Sequence, residues 1–191
     1  MKQLVVGLGV VGKTTLDCLS RFGYDMVGYD RNKEKLEELK KEGLKTTDEL
    51  IEVDIYWICV PETEVENVIK EMYTKSMFSN NPIIVVRSTT IPGTIVTLAE
   101  MPLRICHNPE FFRERYAEWE FMHPDYILIG ECDKEAGDIL EEIYKPLQAP
   151  IIRTDPTTSE IIKLVHNAHA STMISFWNEI YRICKKTNVN S

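Results

Sequence analysis

The chain opens MKQLVVGLGVVGKTTLDCLSRFG, and the glycines within it restrict the fold more than any other feature. KQLVVG is a short apolar run ending in glycine, the pattern of a strand buried on both faces. VVGKTTLDCLSRFG has helical spacing and closes on Gly23. Between them, GLGVVG fits G-x-G-x-x-G. A second strand, DMVGYD, ends in Asp30, about 20 residues on, where a dinucleotide fold places its acidic residue. Each glycine then has a task. Gly7 makes the tight turn, Gly9 lets a pyrophosphate approach backbone N–H groups at the positive helix end, and Gly12 lets helix and strand pack closely. A carboxylate at Asp30 would take the ribose hydroxyls and repel a 2′-phosphate, which favours NAD over NADP. Arg31 pulls the other way, because a neighbouring arginine can accommodate that phosphate.

GLGVVGKT also satisfies the P-loop pattern, with Lys13 and Thr14 after Gly12, so a nucleoside-triphosphatase competes. Against it, DIYWICV ends at Val60 and Pro61 with no clear carboxylate for Mg²⁺. Asp30 stands where the dinucleotide fold wants it.

Further along, strand-like and helix-like runs alternate with short connections. ETEVENVIKEMYTK reads as a helix, PIIVVRS and LRICHNP as strands, then DYILIG, the helix KEAGDILEEIYKPL and the strand PIIRT. The alternation predicts an α/β fold with a parallel, doubly wound sheet of Rossmann type. It stops near Asp155 and Pro156, where one long helix from Thr157 to Lys186 begins. The expected division is a nucleotide-binding domain over residues 1–155 and a helix over 156–191 that opens a second region.

Composition narrows the function. A net charge of -8 over 191 residues argues against a nucleic-acid surface or an anionic membrane. No apolar run approaches the ~20 residues of a membrane span. Five scattered cysteines without a CxxC pair read as reduced thiols, buried as small hydrophobes, in a cytoplasmic protein. No metal site is expected. His166 and His169 lie one turn apart on the long helix, without an obvious third ligand. His107, beside Asn108 and Pro109, is expected to bond locally.

The stretch CHNPEFFRERY carries Glu110 and Glu114, which on a helix would share a face. Two readings stand: a solvated pair with Arg113 or Arg115 as partner, or carboxylates aimed at a substrate. Glu110 follows a proline at an expected strand end, where α/β sheets place their ligands. Phe111 and Phe112 could shield it from water. On the long helix Lys163 and Asn167 are one turn apart and share a face. Ile161, Ile162, Leu164 and Val165 make burial of that lysine plausible.

Three stretches carry a family resemblance: RSTTIPGT (87–94), HNPEFFRE (107–114) and SEIIKLVHNAHASTMISFWNEI (159–180). With GLGVVG, in this order and over nearly the whole chain, they resemble the UDP-glucose/GDP-mannose dehydrogenase family. That resemblance implies oxidation of a nucleotide sugar's C6 alcohol to a carboxylate in two NAD-dependent steps, through a cysteine thioester that water hydrolyses. It implies that Thr89 helps hold the catalytic water near the nicotinamide and that Glu110 is the base for hydrolysis. Glu114 lies by the cofactor, Lys163 stabilises the developing oxyanion, and Asn167 orients water or substrate. The candidate cofactor contacts are Gly7, Gly9, Val10, Val11, Gly12 and Asp30, then Val60, Pro61, Ser88, Thr89 and Glu114.

The sequence departs from the family in places. Ile91 stands where many members have proline, and Lys13 replaces an apolar residue. No cysteine here sits in the family's GxCFPKD setting, so the chain reads as the family's N-terminal part, able to bind NAD without the thiol of the second oxidation. Two alternatives remain: an enzyme like the β-hydroxyacid dehydrogenases, disfavoured by NPEFFRE, and a non-catalytic NAD-binding module. The apolar residues Ile174, Phe176, Trp177, Ile180 and Tyr181 predict a homodimer through residues 160–186.

Overall fold

In a computed structural model, which describes residues 1–190, eight strands form one sheet flanked by seven helices. The strands are β1 (Lys2–Val6), β2 (Asp25–Tyr29), β3 (Thr46–Thr47), β4 (Ile55–Ile58), β5 (Ile83–Val86), β6 (Arg104–His107), β7 (Ile127–Glu131) and β8 (Ile151–Thr154). The helices are α1 (Val10–Arg21), α2 (Lys33–Lys41), α3 (Val65–Thr74), α4 (Thr94–Leu98), α5 (Ala117–Met122), α6 (Lys134–Tyr144) and α7 (Pro156–Thr187). Strand order is β3-β2-β1-β4-β5-β6-β7-β8. The first six reproduce the Rossmann order, with its reversal between β1 and β4.

Successive side chains of a strand face opposite ways, and the central strands bury both faces. Val5, Trp57 and Val85 pack beneath α1, α5 and α6, with Leu16, Leu19, Phe121 and Leu140. Leu4, Tyr56, Ile58 and Ile84 pack on the other face against Val65, Ile69 and Met72 of α3 and Ile95 and Leu98 of α4. Gly23 stops α1 as expected and Gly43 stops α2 in the same way: both have positive φ, where a glycine costs least. Asn32 caps α2 and Asp133 caps α6 through side-chain oxygens.

The sheet is not parallel throughout. β7 pairs with β6 antiparallel, Cys106 opposite Glu131 and His107 opposite Gly130, so β7 and β8 run against the first six strands. The cause is the connection over residues 108–126. It leaves β6 as extended chain pinned at the sheet's end, where Asn108 Nδ2 donates to the Leu128 carbonyl. The chain therefore enters β7 beside the end of β6. The two-residue edge strand β3 and the short helices α4 and α5 carry too few residues to show a period.

Candidate active site and nucleotide cleft

The first cleft, about 510 Å³, opens at the carboxyl ends of β1, β2 and β4, between α1 and α3. Gly7, Gly9, Val10, Val11, Asp30, Val60 and Pro61 all line it. Gly7 has φ +89°, and a Cβ there would lie 2.7 Å from the Cys59 carbonyl oxygen. A Cβ on Gly12 would fall 1.8 Å from the Gly7 carbonyl oxygen, so α1 crosses β1 where only glycine fits. Beside Gly9 the space is open. The start of α1 carries no acidic residue, and its N–H groups are suited to an anion. These features fit a dinucleotide's pyrophosphate.

Asp30 is fixed on three sides. Its Oδ2 accepts from the Leu8 N–H at 2.8 Å and from Lys35 Nζ at 3.0 Å, and its Oδ1 from the Asn32 N–H at 2.9 Å. Desolvation pushes its pKa up, but these bonds outweigh it and hold the carboxyl below the usual range. Lys13 does not reach the cleft; its Nζ pairs with Glu42 at 2.6 Å. The remaining candidates lie outside the lining. Gly12 is packed beneath it, and Ser88 donates its hydroxyl to the Val60 carbonyl at 2.6 Å, tying the β5 turn to the β4 turn. Thr89 is half-buried in that turn.

The second cleft, about 710 Å³, is walled by Glu110, Phe111, Phe112, Trp119, Tyr144 and His166. At its edge the structure joins two candidates 53 residues apart. Lys163 Nζ donates to the Glu110 carbonyl at 2.5 Å and to Glu110 Oε1 at 3.2 Å. The lysine side chain is 5% exposed and the glutamate's 15%, so Lys163 is no snorkelling surface residue. Phe111 covers the pair, its ring centre 5.2 Å from Nζ, and is itself packed edge-on against His166. Glu110 Oε2 is buried and unpartnered among the described residues. Asn167 follows one turn on and is exposed.

Glu110 and Glu114 do not share a helix face. Residues 108–113 belong to no helix or strand, and helical geometry starts only at Glu114, which is exposed and borders neither cleft. Arg113 pairs with Glu120, not with Glu110 or Glu114. Nor does His107 bond locally. Its Nε2–H points to the Ser88 carbonyl at 3.2 Å, and its Nδ1 accepts from the Ser159 hydroxyl at 2.8 Å. Burial lowers its pKa to about 4. The cysteines divide differently from expectation: Cys18 and Cys106 are buried, Cys59 and Cys184 partly so, and Cys132 is exposed. Burial pushes the thiols of Cys18, Cys59 and Cys106 up to about 12, which leaves them protonated and poorly nucleophilic.

Two supporting groups escaped the sequence reading. Glu160, fully buried, accepts from the Thr90 hydroxyl at 2.9 Å and from the Gly93 and Ile95 N–H groups at 2.7 and 3.1 Å. It thereby fixes the STTIPGT turn to the helix that carries Lys163. Arg87 is buried against Asn108 Oδ1, the Tyr144 hydroxyl and the Phe121 ring, and so anchors the start of the Glu110 segment. Both residues stand inside the quoted motifs, the only signal available for them.

Comparison with known proteins agrees with this geometry. The family model described as UDP-glucose/GDP-mannose dehydrogenase family, NAD binding domain, matches residues 44–148. The chain belongs to this family. Its central-domain model matches residues 157–191, and the NAD-binding domain of D-isomer specific 2-hydroxyacid dehydrogenases matches residues 1–86. GDP-mannose 6-dehydrogenase of Pseudomonas syringae pv. tomato is 34% identical across all of this chain and 54% of its own length. A UDP-glucose 6-dehydrogenase of Bacillus subtilis is 31% identical across all of this chain and 52% of its own. The chain spans about half the length of the curated relatives it matches. A ternary complex of GDP-mannose dehydrogenase from Pseudomonas aeruginosa superposes with a TM-score of 0.87 at 29% identity, over the whole chain and 54% of that structure. This chain's cofactor is NAD. Among the described residues no helix is long and apolar enough to cross a membrane.

Proposed function

We propose that the chain supplies the NAD cleft and the Glu110–Lys163 part of the active site of a nucleotide-sugar 6-dehydrogenase. Its substrate class is that named for the relatives, a GDP- or UDP-sugar. The observation that carries this reading is the buried lysine held against Glu110, on the helix that Glu160 ties to the turn after β5. NAD held in the first cleft by Gly7, Gly9 and Asp30 would supply the hydride acceptor for the sugar alcohol. Lys163 offers a fixed positive charge to the alkoxide that forms as the alcohol gives up its proton, ahead of hydride departure. Glu110 Oε2 keeps free lone pairs in a sheltered position, which suits it to take a proton from water. The family resemblance gives Thr89, and Asn167 one turn beyond Lys163, the part of orienting water or sugar. Glu114 has the weakest support, because it faces solvent away from both clefts.

The thioester step requires a thiolate, and the buried cysteines here are poorly suited to supply one. We assign residues 1–155 to the NAD-binding domain and 156–191 to the start of the central region, supported by family matches that end at 148 and resume at 157. The exposed apolar residues of α7 support a homodimer through that helix.

The test is NADH formation from GDP-mannose and UDP-glucose, with the chain alone and with an added polypeptide carrying the family's GxCFPKD segment. NAD binding by the chain alone, with complete oxidation only in the mixture, is expected. Lys163→Met should keep NAD binding and reduce turnover by at least ~100-fold, the scale of losing one preorganised charge at a transition state. Unchanged turnover in Lys163→Met would remove Lys163 from the chemistry.

A further inference from the structure

The adenosine end of the NAD cleft carries an ion pair that nothing above explains. Arg31 follows Asp30 directly, at the end of β2. A guanidinium in that place is the usual receptor for the 2′-phosphate that distinguishes NADP from NAD. Yet Arg31 is engaged elsewhere. Its Nη2 donates to Glu71 Oε2 at 2.9 Å. Glu71 lies on α3, in the opposite wall of the same cleft, and both residues line it together with Leu50, Val68 and Met72. Glu71 is itself anchored, since its other oxygen accepts from Lys75 Nζ at 2.6 Å. The hydrogen bond from Lys75 leads the influences that hold its carboxyl below the usual range.

We propose that Glu71 is a specificity-determining residue of the cofactor cleft: it holds the Arg31 guanidinium across the adenosine end, away from the ribose 2′ position, and so favours NAD over NADP. The proposal rests on the assignment of the cleft to NAD. The local charges point the same way. Arg31, Lys35 and Lys75 stand against Asp30, Glu71 and the cleft-lining Glu64, and Lys35 is already committed to Asp30 at 3.0 Å. A 2′-phosphate entering this set would have to break the Arg31–Glu71 pair and approach two carboxylates. NAD leaves the pair intact and needs only the Asp30 oxygens. Leu50, half-buried in the same lining, and the edge of Val68 would then offer apolar contact to the adenine. Asp30 alone would disfavour NADP in many such clefts. Here a neighbouring arginine could reverse that preference, and Glu71 is the group that prevents it.

The experiment is isothermal titration of the purified chain with NAD and NADP, for the wild type, Glu71→Gln, Glu71→Gln/Arg31→Ala, and Glu66→Gln. Glu66 is half-buried on the same helix, pairs with Lys70 and lines neither cleft, so it controls for loss of one negative charge. Arg31 and Glu71 are 67% and 40% exposed, so neither change disturbs the core. In Glu71→Gln the affinity for NADP should rise about 3- to 10-fold, with that for NAD changed less than about twofold. The gain should vanish in the double variant and be absent in Glu66→Gln. An unmoved NADP-to-NAD ratio in Glu71→Gln would overturn the proposal, as would an equal gain in Glu66→Gln or in the double variant. Wild-type protein that binds neither dinucleotide would overturn the NAD assignment itself. NAD binding with an unmoved ratio would overturn only the role of Glu71.

Discussion

Gly12 and Gly9 are the same residue type, required for opposite reasons. At Gly12 the constraint is inside the protein, because any Cβ would collide with the Gly7 carbonyl oxygen. At Gly9 the constraint comes from outside, since nothing in the chain lies within 4 Å of the added atom. The two substitutions should therefore separate folding from binding. Gly12→Ala forces backbone apart at the strand–helix crossing and should destabilise by about 3 kcal/mol or more, at the upper end of overpacking costs. Gly9→Ala should unfold at the wild-type denaturant concentration yet bind NAD at least ~10-fold more weakly, because its methyl occupies the approach to the α1 N–H groups. Urea unfolding and NAD titration on both variants measure this. A Gly12→Ala protein as stable as wild type would show that the crossing has slack the structure does not suggest.

At the scale of elements, the first turns of α7 are what convert a nucleotide-binding sheet into a candidate active site. Ser159 and Glu160 dock those turns on β6 and on the turn after β5, and Lys163 follows one turn later beside Glu110. His107 is the hinge pin of that docking, buried and neutral between Ser88 and Ser159. Its folded pKa, about 4, lies below the ordinary imidazole value of 6.5. Above pH ~6.5 the imidazole is neutral in both states, and its docking is at full strength. As pH falls toward ~4 the unfolded chain takes up a proton that the folded chain refuses, so stability drops by up to about 1.4 kcal/mol per pH unit, roughly 3 kcal/mol over the whole window. Below ~4 both states are protonated and the loss levels off. Unfolded carboxylates titrate mostly below pH ~4.5, so the interval from about 7 to about 5 isolates the histidines. Urea unfolding at those two pH values should show the loss in wild type and a flatter response in His107→Gln. Equal wild-type stability at both would mean that the imidazole accepts its proton in place.

For the molecule as a whole, legibility followed the range of the interactions. The strand–glycine–helix opening, the Asp30 position and the helix stops at Gly23 and Gly43 are local, and a single stretch of sequence specifies each. The direction of β7 is not local. It depends on where residues 108–126 lead, and that is set by Asn108 reaching Leu128 and Arg87 reaching Tyr144. For the same reason, spacing offered Glu110 and Glu114 one face if they were helical, whereas a lysine 53 residues away holds Glu110 in irregular chain. The long helix was legible as a helix, and its surface leads to a last prediction. Ile174, Phe176, Trp177, Tyr181 and Ile183 are 51–64% exposed along its second half. Fully burying such side chains contributes roughly 1.5–3 kcal/mol each. Even half of that gain, summed over two copies, is comparable to the ~4–15 kcal/mol that association costs. The balance suits a dimer that forms at tens of micromolar, about 6 kcal/mol of net binding. Sedimentation across that range should show monomer passing to dimer. Trp177→Glu, which places a charge between Ile174 and Tyr181, each one turn away on the same side of the helix, should hold the chain monomeric with its helical circular dichroism intact. If the wild type stays monomeric throughout, the face does not pair with its own copy, and the dimer proposal fails while the NAD cleft, built from other elements, stands.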